Sequence, residues 1–397
     1  MPLSEKTKAI VKNTAPVLAE HGETIASYFY QDMFRHNPEL LEIFNGSNQH
    51  TGAQPRALAA AVYGYAANID NLAALTPVVQ RIAHKHASFN IKPEHYPIVG
   101  KHLLGAIVHV LGDQATDDII QAWTEAYEFL ASIFMEVEEG IYHANETQEG
   151  GWRGTRAFRV AKKIQESSLI TSFYFESVDQ KPIATFMPGQ YIGLYLHPSN
   201  HPYQEIRQYS LSDAPNNKYY RISVKREPQG VASNYLHDDV KENDIIHLSA
   251  PAGDFYLNQN SKNPVVLISA GVGLTPMMSM LNTLIQKQST RKITFVHAAV
   301  DGNVHAFKQH IQQITKAHDN VSSVVFYSNP KPNDSEYDYT GYVNLTTVRS
   351  QITDDHTDYY LCGPIGFMSF INEGLKNLGI TPEHTHFEVF GPHKILK

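Results

Sequence analysis

Before the stretch HANETQEGGWRGTR the chain carries helical patterning only, and after it the pattern alternates residue by residue. That change constrains the fold more than any other feature. A helix buries every third or fourth residue and a strand every second, so one continuous core cannot serve both parts. Gly150-Gly151 supplies the joint. From Phe158 to about Leu257, YYRISVKRE and DIIHLSAPAGDFYL read as strands with proline and glycine between runs, which predicts an antiparallel barrel. From Pro264 the texture shifts again. The short apolar runs VVLISA, KITFVHAAV, NVSSVVFYS and DYYLCGP are interspersed with the helical segments VHAFKQHIQQITKA and IGFMSFINEGLKNLGI. This predicts a doubly wound parallel sheet. The expected organisation is multidomain: an all-α domain over 1–147, an antiparallel β-barrel over 152–260 and an α/β domain over 263–397. A length of 397 residues suits several cores.

Composition removes some alternatives. A net charge of -8 offers no basic footprint for nucleic acid. Cys362 is the one cysteine; it cannot form an internal disulfide and points to a reducing, cytoplasmic setting. The start MPLSEKTKAI is charged where a signal peptide is apolar. The stretch 264–286 is uncharged and long enough to span a bilayer, but Gly271, Gly273 and Pro276 mark it as a buried strand, turn and helix. No membrane span is expected.

Thr76-Pro77 predicts a helix start, with Thr76 as cap and Pro77 first in the helix. A helix from near Pro93 to Gly112 puts Val99, Leu103, Ile107 and Val110 on one face. Another begins at Thr116, with Asp117 and Asp118 at its positive end, and carries Trp123, Tyr127, Leu130, Phe134 and Ile141. After Pro77, the residues Val79, Ile82, His86 and Phe89 share an apolar stripe, while His84 and Lys85 fall on the polar side and His95 lies beyond a loop. His86 is therefore the inward histidine. It is either a core histidine bonded to a carbonyl or the axial ligand of a haem iron, since neutral imidazole binds iron and haem needs an apolar pocket. Glu138 interrupts the apolar stripe between Phe134 and Ile141. It is either at a solvated helix end or the acceptor of the ligating histidine's other ring proton, in a network that Tyr96 could join. Tyr30 lines up with Ala26 and Phe34, and Gln54 with Leu58, Ala61 and Tyr65. Each alone reads as an ordinary half-buried side chain; together they could donate hydrogen bonds above a haem.

Downstream, GQYIGLYL places Tyr191 in a strand, and IRQYSLSDAP places Arg207, Gln208, Tyr209 and Ser210 at a strand end. A hydrogen-bonding wall and a cation suit a flavin and its pyrophosphate, although Arg207 reads equally as a surface residue. GVASNYLH sets Gly230 and Ser233 before a helix start, which suits backbone N–H donation to phosphate. VVLISAGVGLTPMMSML is a strand, then Gly271, Val272, Gly273, Leu274, Thr275 and Pro276, then a helix. Thr275 is expected to cap that helix and Pro276 to open it, so that its N-terminus faces an anion; a generic tight turn is the alternative. YYLCGPIGFM repeats the arrangement at another strand end, with Cys362, Gly363 and Pro364. HFEVFGP near the C-terminus holds Glu388, Val389, Phe390, Gly391 and Pro392, with Phe390 either core or stacked on a cofactor.

Taken together, HFEVFGPHK, CGPIGFM, RQYSLS and KHASFNIKPEHYPIVGKHLL resemble the flavohaemoglobin family over essentially the whole chain. The resemblance implies a globin followed by a ferredoxin-reductase-like module, with haem b, FAD and NAD(P)H as cofactors. By resemblance, His86 matches the proximal haem ligand, Tyr96 and Glu138 its partners, Tyr30 and Gln54 the distal tyrosine and glutamine, Phe44 the phenylalanine packed on the haem, and Lys85 a lysine toward the flavin side. The strand-end segments match the FAD and nicotinamide sites, and Phe390 matches the aromatic that stacks on the flavin, with Glu388 close by. Pro228 and Gln229 stand where this module often has paired glycines. The implied activity is nitric oxide dioxygenation, with NO, O2 and NAD(P)H as the small-molecule partners and a monomer as the expected state. Two other readings stay open: an oxygen store or sensor with its own reductase, and a flavin reductase acting on other acceptors such as peroxides. No ribose-end residue decides NADH against NADPH, and a lipid in the distal pocket stays open.

Overall fold

The computed structural model describes residues 2–44, 52–199, 201–352 and 356–391. The chain divides into two compact units. One comprises Met1–Gln148, Trp152–Thr155 and Tyr195–Ile206; the other comprises Glu149–Gly151, Arg156–Leu194 and Arg207–Lys397.

The first unit is built from α1 (Glu5–Asn13), α2 (Ala15–His36), α3 (Ala53–Ala67), α4 (Thr76–Ser88), α5 (His95–Leu111) and α6 (Asp117–Thr147). Ser4 caps α1, its Oγ accepting the Thr7 N–H at 3.0 Å. Helix α2 packs on α3 and α5, while α1 and α4 pack on α6. Between them lie Phe29, Met33, Leu103, Ile107 and Trp123, all buried. Val99 and Val110 pack on this core as the helical spacing requires. The start of α4 differs from expectation. Thr76 is already helical (φ -49°, ψ -46°), and Leu75, the last residue of a 3-10 turn over Leu72–Leu75, takes the cap position. The turn feeds directly into the helix, so no side-chain cap is used.

The second unit carries most of two six-stranded sheets. In the first, β1 (Thr155–Gln165), β2 (Ile170–Ser177), β3 (Tyr191–Leu196), β4 (Glu205–Ser210), β5 (Tyr220–Lys225) and β6 (Ile245–Ser249) lie in the order β4-β3-β6-β1-β2-β5. The β1–β2 and β2–β5 pairs are antiparallel. A bridge from Leu211 to Ile222 links the end of β4 back to β5, so the sheet nearly closes into a barrel. Strand β5 is buried on both faces from Tyr220 to Val224, as closure demands. The strand-like run DIIHLSAPAGDFYL stops at Ser249, because Pro251 and Gly253 break the ladder; Ala252 returns to it, bridging Tyr191. Helix α7 (Val231–Asp238) follows β5.

The second sheet has the order β10-β9-β8-β7-β11-β12, every pair parallel. Its strands are β7 (Val265–Ala270), β8 (Ile293–Ala299), β9 (Val321–Tyr327), β10 (Tyr339–Thr340), β11 (Asp358–Cys362) and β12 (Thr385–Glu388). The strands alternate with α8 (Leu274–Gln286), α9 (Lys308–Ala317), α10 (Arg349–Ile352) and α11 (Ile365–Asn377). Helix α8 is buried without a break from Leu274 to Leu281, which accounts for the uncharged stretch. Among the described residues no helix is long and apolar enough to cross a membrane. Helix α9 begins later than its sequence pattern suggests, at Lys308, because Phe307 adopts a left-handed conformation (φ +58°) and cannot continue a helix from Val304.

Candidate functional site

In the first unit, α4 and α6 bring His86 and Glu138 together from 52 positions apart. The His86 Nδ1–H donates to Glu138 Oε1 at 2.7 Å, and the Tyr96 hydroxyl donates to the same oxygen at 2.5 Å. Tyr96 also stands 3.3 Å from Nδ1. Glu138 is 3% exposed, so it is no frayed helix end. Burial, then the Glu138 charge, raises the Tyr96 phenol above its ordinary range and keeps it a donor. With the ring proton committed to a carboxylate, Nε2 carries the lone pair, and it has no hydrogen-bond partner among the described residues. The Phe134 ring lies 5.7 Å from the imidazole.

Two tyrosines that the sequence reading did not single out as functional brace this network. Tyr127 donates to the Tyr96 carbonyl at 2.6 Å, and Tyr142 to the Ile91 carbonyl at 2.7 Å. Their signal was present: both recur on the α6 face that carries Glu138. Lys85, expected on a polar face, is half-buried; it has no ion-pair partner among the described residues, and burial lowers its ammonium pKa.

Tyr30, on α2, is buried among aromatic rings: Phe29 at 4.7 Å, Phe34 at 5.8 Å and Phe44 at 5.9 Å. Burial raises its phenol, and the Gln54 side chain, hydrogen-bonded toward it from the start of α3, opposes that shift. Gln54 Oε1 is buried with no hydrogen-bond partner among the described residues. A buried, orphaned amide oxygen is costly unless something else occupies the neighbourhood. These observations fit a haem: an imidazole nitrogen with an open lone pair, aromatic walls, and a buried polar pair.

In the second unit, Tyr191 on β3 and residues Arg207 to Ser210 on β4 lie on adjacent strands; Tyr191 and Ser210 are buried, and Arg207, Gln208 and Tyr209 are half-buried. Gly230 takes the cap position of α7. The Ser233 hydroxyl accepts the Glu227 N–H at 3.1 Å and so orders its own loop. After β7, Gly271 sits at φ +55° with open space where a Cβ would be, whereas a Cβ on Gly273 would collide with the Cys362 carbonyl. The two strand-end turns are thereby pressed together. Thr275 does not cap α8. The helix starts at Leu274, and Thr275 Oγ1 donates back to the Val272 carbonyl at 3.1 Å. Pro276 is correspondingly third in the helix rather than first. The first amides of α8 have no side-chain cap, which fits an anion such as a dinucleotide phosphate. Cys362 pairs in register with Glu388 across β11 and β12. Burial, then the Glu388 charge, pushes its thiol well above the ordinary range. Gly363 and Pro364 lead from Cys362 into α11. Val389 is buried, Phe390 is 41% exposed and Gly391 turns at φ +111°. Pro392 lies outside the described residues.

Fold and site define a globin joined to a flavin- and nicotinamide-binding reductase. The Globin family matches residues 27–134, the Oxidoreductase FAD-binding domain residues 157–256 and the Oxidoreductase NAD-binding domain residues 267–373. The flavohemoprotein of Halalkalibacterium halodurans is 48% identical over 399 residues, covering 98% of this chain and 97% of its own length. The crystal structure of a Malassezia yamatoensis flavohemoglobin with bound FAD and heme covers 98% of this chain and 100% of its own, with a TM-score of 0.87 and 28% identity. The FAD/NAD-binding domain of a Vibrio cholerae nitric oxide dioxygenase covers 60% of this chain and 99% of its own, with a TM-score of 0.55 and 40% identity. The chain belongs to the flavohemoprotein family. Its cofactors are haem in the globin part, FAD in the barrel and a nicotinamide dinucleotide on the parallel sheet.

Proposed function

We propose that this oxidoreductase is an NAD(P)H-dependent nitric oxide dioxygenase, in which two NO and two O2 are consumed per NAD(P)H to give two nitrates, NAD(P)+ and a proton. The observation that carries this reading is the 2.7 Å bond from His86 to the buried Glu138. A carboxylate on one ring nitrogen strengthens the other as a donor, which suits oxygen activation better than reversible oxygen storage. The name of the Vibrio cholerae relative supports the activity. When bound, haem supplies the iron at which oxygen is activated, and FAD converts a two-electron hydride into single electrons.

In this reading His86 Nε2 holds the iron, while Glu138 and Tyr96 fix the ring's tautomer and orientation. Phe44 packs on the macrocycle. Tyr30 and Gln54 offer a hydroxyl and an amide to the small-molecule ligand, and Lys85 supplies a cation beside the proximal side. Tyr191, Arg207, Gln208, Tyr209 and Ser210 seat the flavin, with Gly230 and Ser233 shaping the loop for its pyrophosphate. The turn from Gly271 to Pro276 and the turn from Cys362 to Pro364 take the nicotinamide dinucleotide. Glu388, Val389, Phe390 and Gly391 present the aromatic that covers the flavin ring. The functional modules then run over 1–147, 152–260 and 263–397, and the lone buried thiol suits a cytoplasmic setting.

Protein loaded with haem and FAD should consume nitric oxide in the presence of oxygen and NADPH or NADH, and should form nitrate. No turnover in loaded protein would end the proposal. His86→Ala should lose that activity while still reducing ferric chelates from NAD(P)H. Equal loss of both activities would instead favour a role for His86 in the fold.

A further inference from the structure

We propose that Asp32, His36 and His102 form a binding site for a divalent transition-metal cation of the zinc type, separate from the haem site. The ligand-capable atoms of the three residues lie within 4.8 Å of one another. Asp32 and His36 are one turn apart at the end of α2, and His102 reaches them from α5. The carboxylate lies against both imidazoles: Asp32 Oδ2 is 2.6 Å from His102 Nδ1, and Oδ1 is 3.2 Å from His36 Nδ1, which also stands 2.9 Å from the Asp32 backbone carbonyl and leaves its Nε2 for a cation. The two rings are stacked, with centroids 5.7 Å apart and planes 23° from parallel. Two nitrogens and one carboxylate oxygen make a donor set suited to zinc, nickel or copper, with water completing the shell. Tetrahedral zinc with bonds of about 2.0–2.2 Å needs neighbouring donors roughly 3.3 Å apart. Asp32 Oδ1 and His36 Nδ1, 3.2 Å apart, already stand at that spacing.

A second observation goes beyond the cluster itself. His102 Nε2–H donates to Asn37 Oδ1 at 3.1 Å, and Asn37 Nδ2 in turn donates to Glu39 Oε1 at 2.9 Å. The amide orientation is thereby set by Glu39, and the amide oxygen holds the proton on Nε2. This is the outer-shell pattern that aims a histidine's other nitrogen at a metal. Nδ1 is left facing the Asp32 carboxylate, where a cation would bridge the two. The site also lies at the C-terminal end of α2, where the backbone carbonyls favour positive charge. Arg35 is the opposing charge on the same turn and sets a limit on affinity. A bound cation would tie the end of α2, the helix that carries Tyr30, to α5.

The test uses untagged full-length protein loaded with haem and FAD and stripped of loose metal by chelator. Titration with zinc chloride in a calorimeter should show one tight equivalent per chain. His36 is exposed, so His36→Ala should leave the fold and NO consumption unchanged while weakening that equivalent at least tenfold. Asn37→Ala should weaken it less. Zinc binding of equal stoichiometry and affinity in wild type and His36→Ala would overturn the proposal. So would the absence of a stoichiometric equivalent in the wild type, which would leave the cluster as an ion-paired staple between two helices.

Discussion

The two units each hold a histidine whose Nδ1 is fixed by a partner, and the partners differ in kind. In the helical unit Nδ1 of His86 faces the carboxylate of Glu138. In the sheet unit the partners are hydroxyls: His297 Nδ1 lies 2.9 Å from Ser269 Oγ and His305 Nδ1 lies 2.9 Å from the Tyr327 hydroxyl. The latter two rings are buried, with centroids 4.8 Å apart, and both Nε2 atoms are buried without a partner among the described residues. His86 is half-buried, and its Nε2 has no hydrogen-bond partner among the described residues. A carboxylate enriches the imidazole it holds, whereas a hydroxyl only orients it. Burial without a carboxylate then holds a histidine neutral. The second partner, more than the histidine, separates a donor poised for chemistry from a packed core residue.

The largest effect expected from this contrast is on stability against pH. His305 is lowered to about 4 by burial and then by the Lys308 charge, and burial puts His297 well below its ordinary range. An unfolded histidine titrates near 6.5, so between these values the unfolded chain binds more protons. Stability from this pair is complete above about pH 6.5 and is lost as pH falls toward 4, by about 3 kcal/mol from His305. Urea midpoints of the sheet unit should therefore drop over that window, and His305→Gln should flatten the slope. An unchanged slope in the variant would remove the buried-neutral half of the comparison.

Glu138→Gln comes next. It keeps the geometry but removes the charge, and NO consumption should fall by about 10–100-fold with haem still bound. Resonance Raman should show a weaker iron–histidine bond. Full activity in this variant would break the carboxylate side of the contrast. Tyr327→Phe should cost about 1–3 kcal/mol in the sheet unit's unfolding free energy, because His305 Nδ1 loses its buried partner, with no change in the haem spectrum. Tyr96→Phe should have the smallest effect, about 1 kcal/mol or roughly fivefold in turnover, since Glu138 retains its bond from His86. Equal effects of Tyr96→Phe and Glu138→Gln would show that the network, not the charge, tunes the ring.

Much of the fold was legible because it rests on local periods. The helical face of Leu103 and Ile107, the strands of the parallel sheet and the buried course of α8 each follow from hydrophobic spacing within a few turns. Helix starts were less legible. Thr76 and Thr275 carry start signals and VHAFKQHIQQITKA reads as helical from Val304, yet 3-10 turns displaced the first two starts by a residue or two and the left-handed Phe307 displaced the third. A residue's fitness to cap says nothing of whether the preceding turn already satisfies the helix's first amides. In the site, His86 was legible as the inward member of its stripe, and Glu138 as an interruption of another.

The sequence by itself determined the three textures, the strand-turn-helix segments and the direction in which His86 points, because each depends on residues within a few positions of one another. Only the tertiary structure decided that Glu138 is buried against His86, that Tyr96 shares its oxygen, and that Asp32 meets His102 across 70 positions. Contacts of that kind are set by how whole helices cross, and crossing depends on packing surfaces that no local pattern specifies.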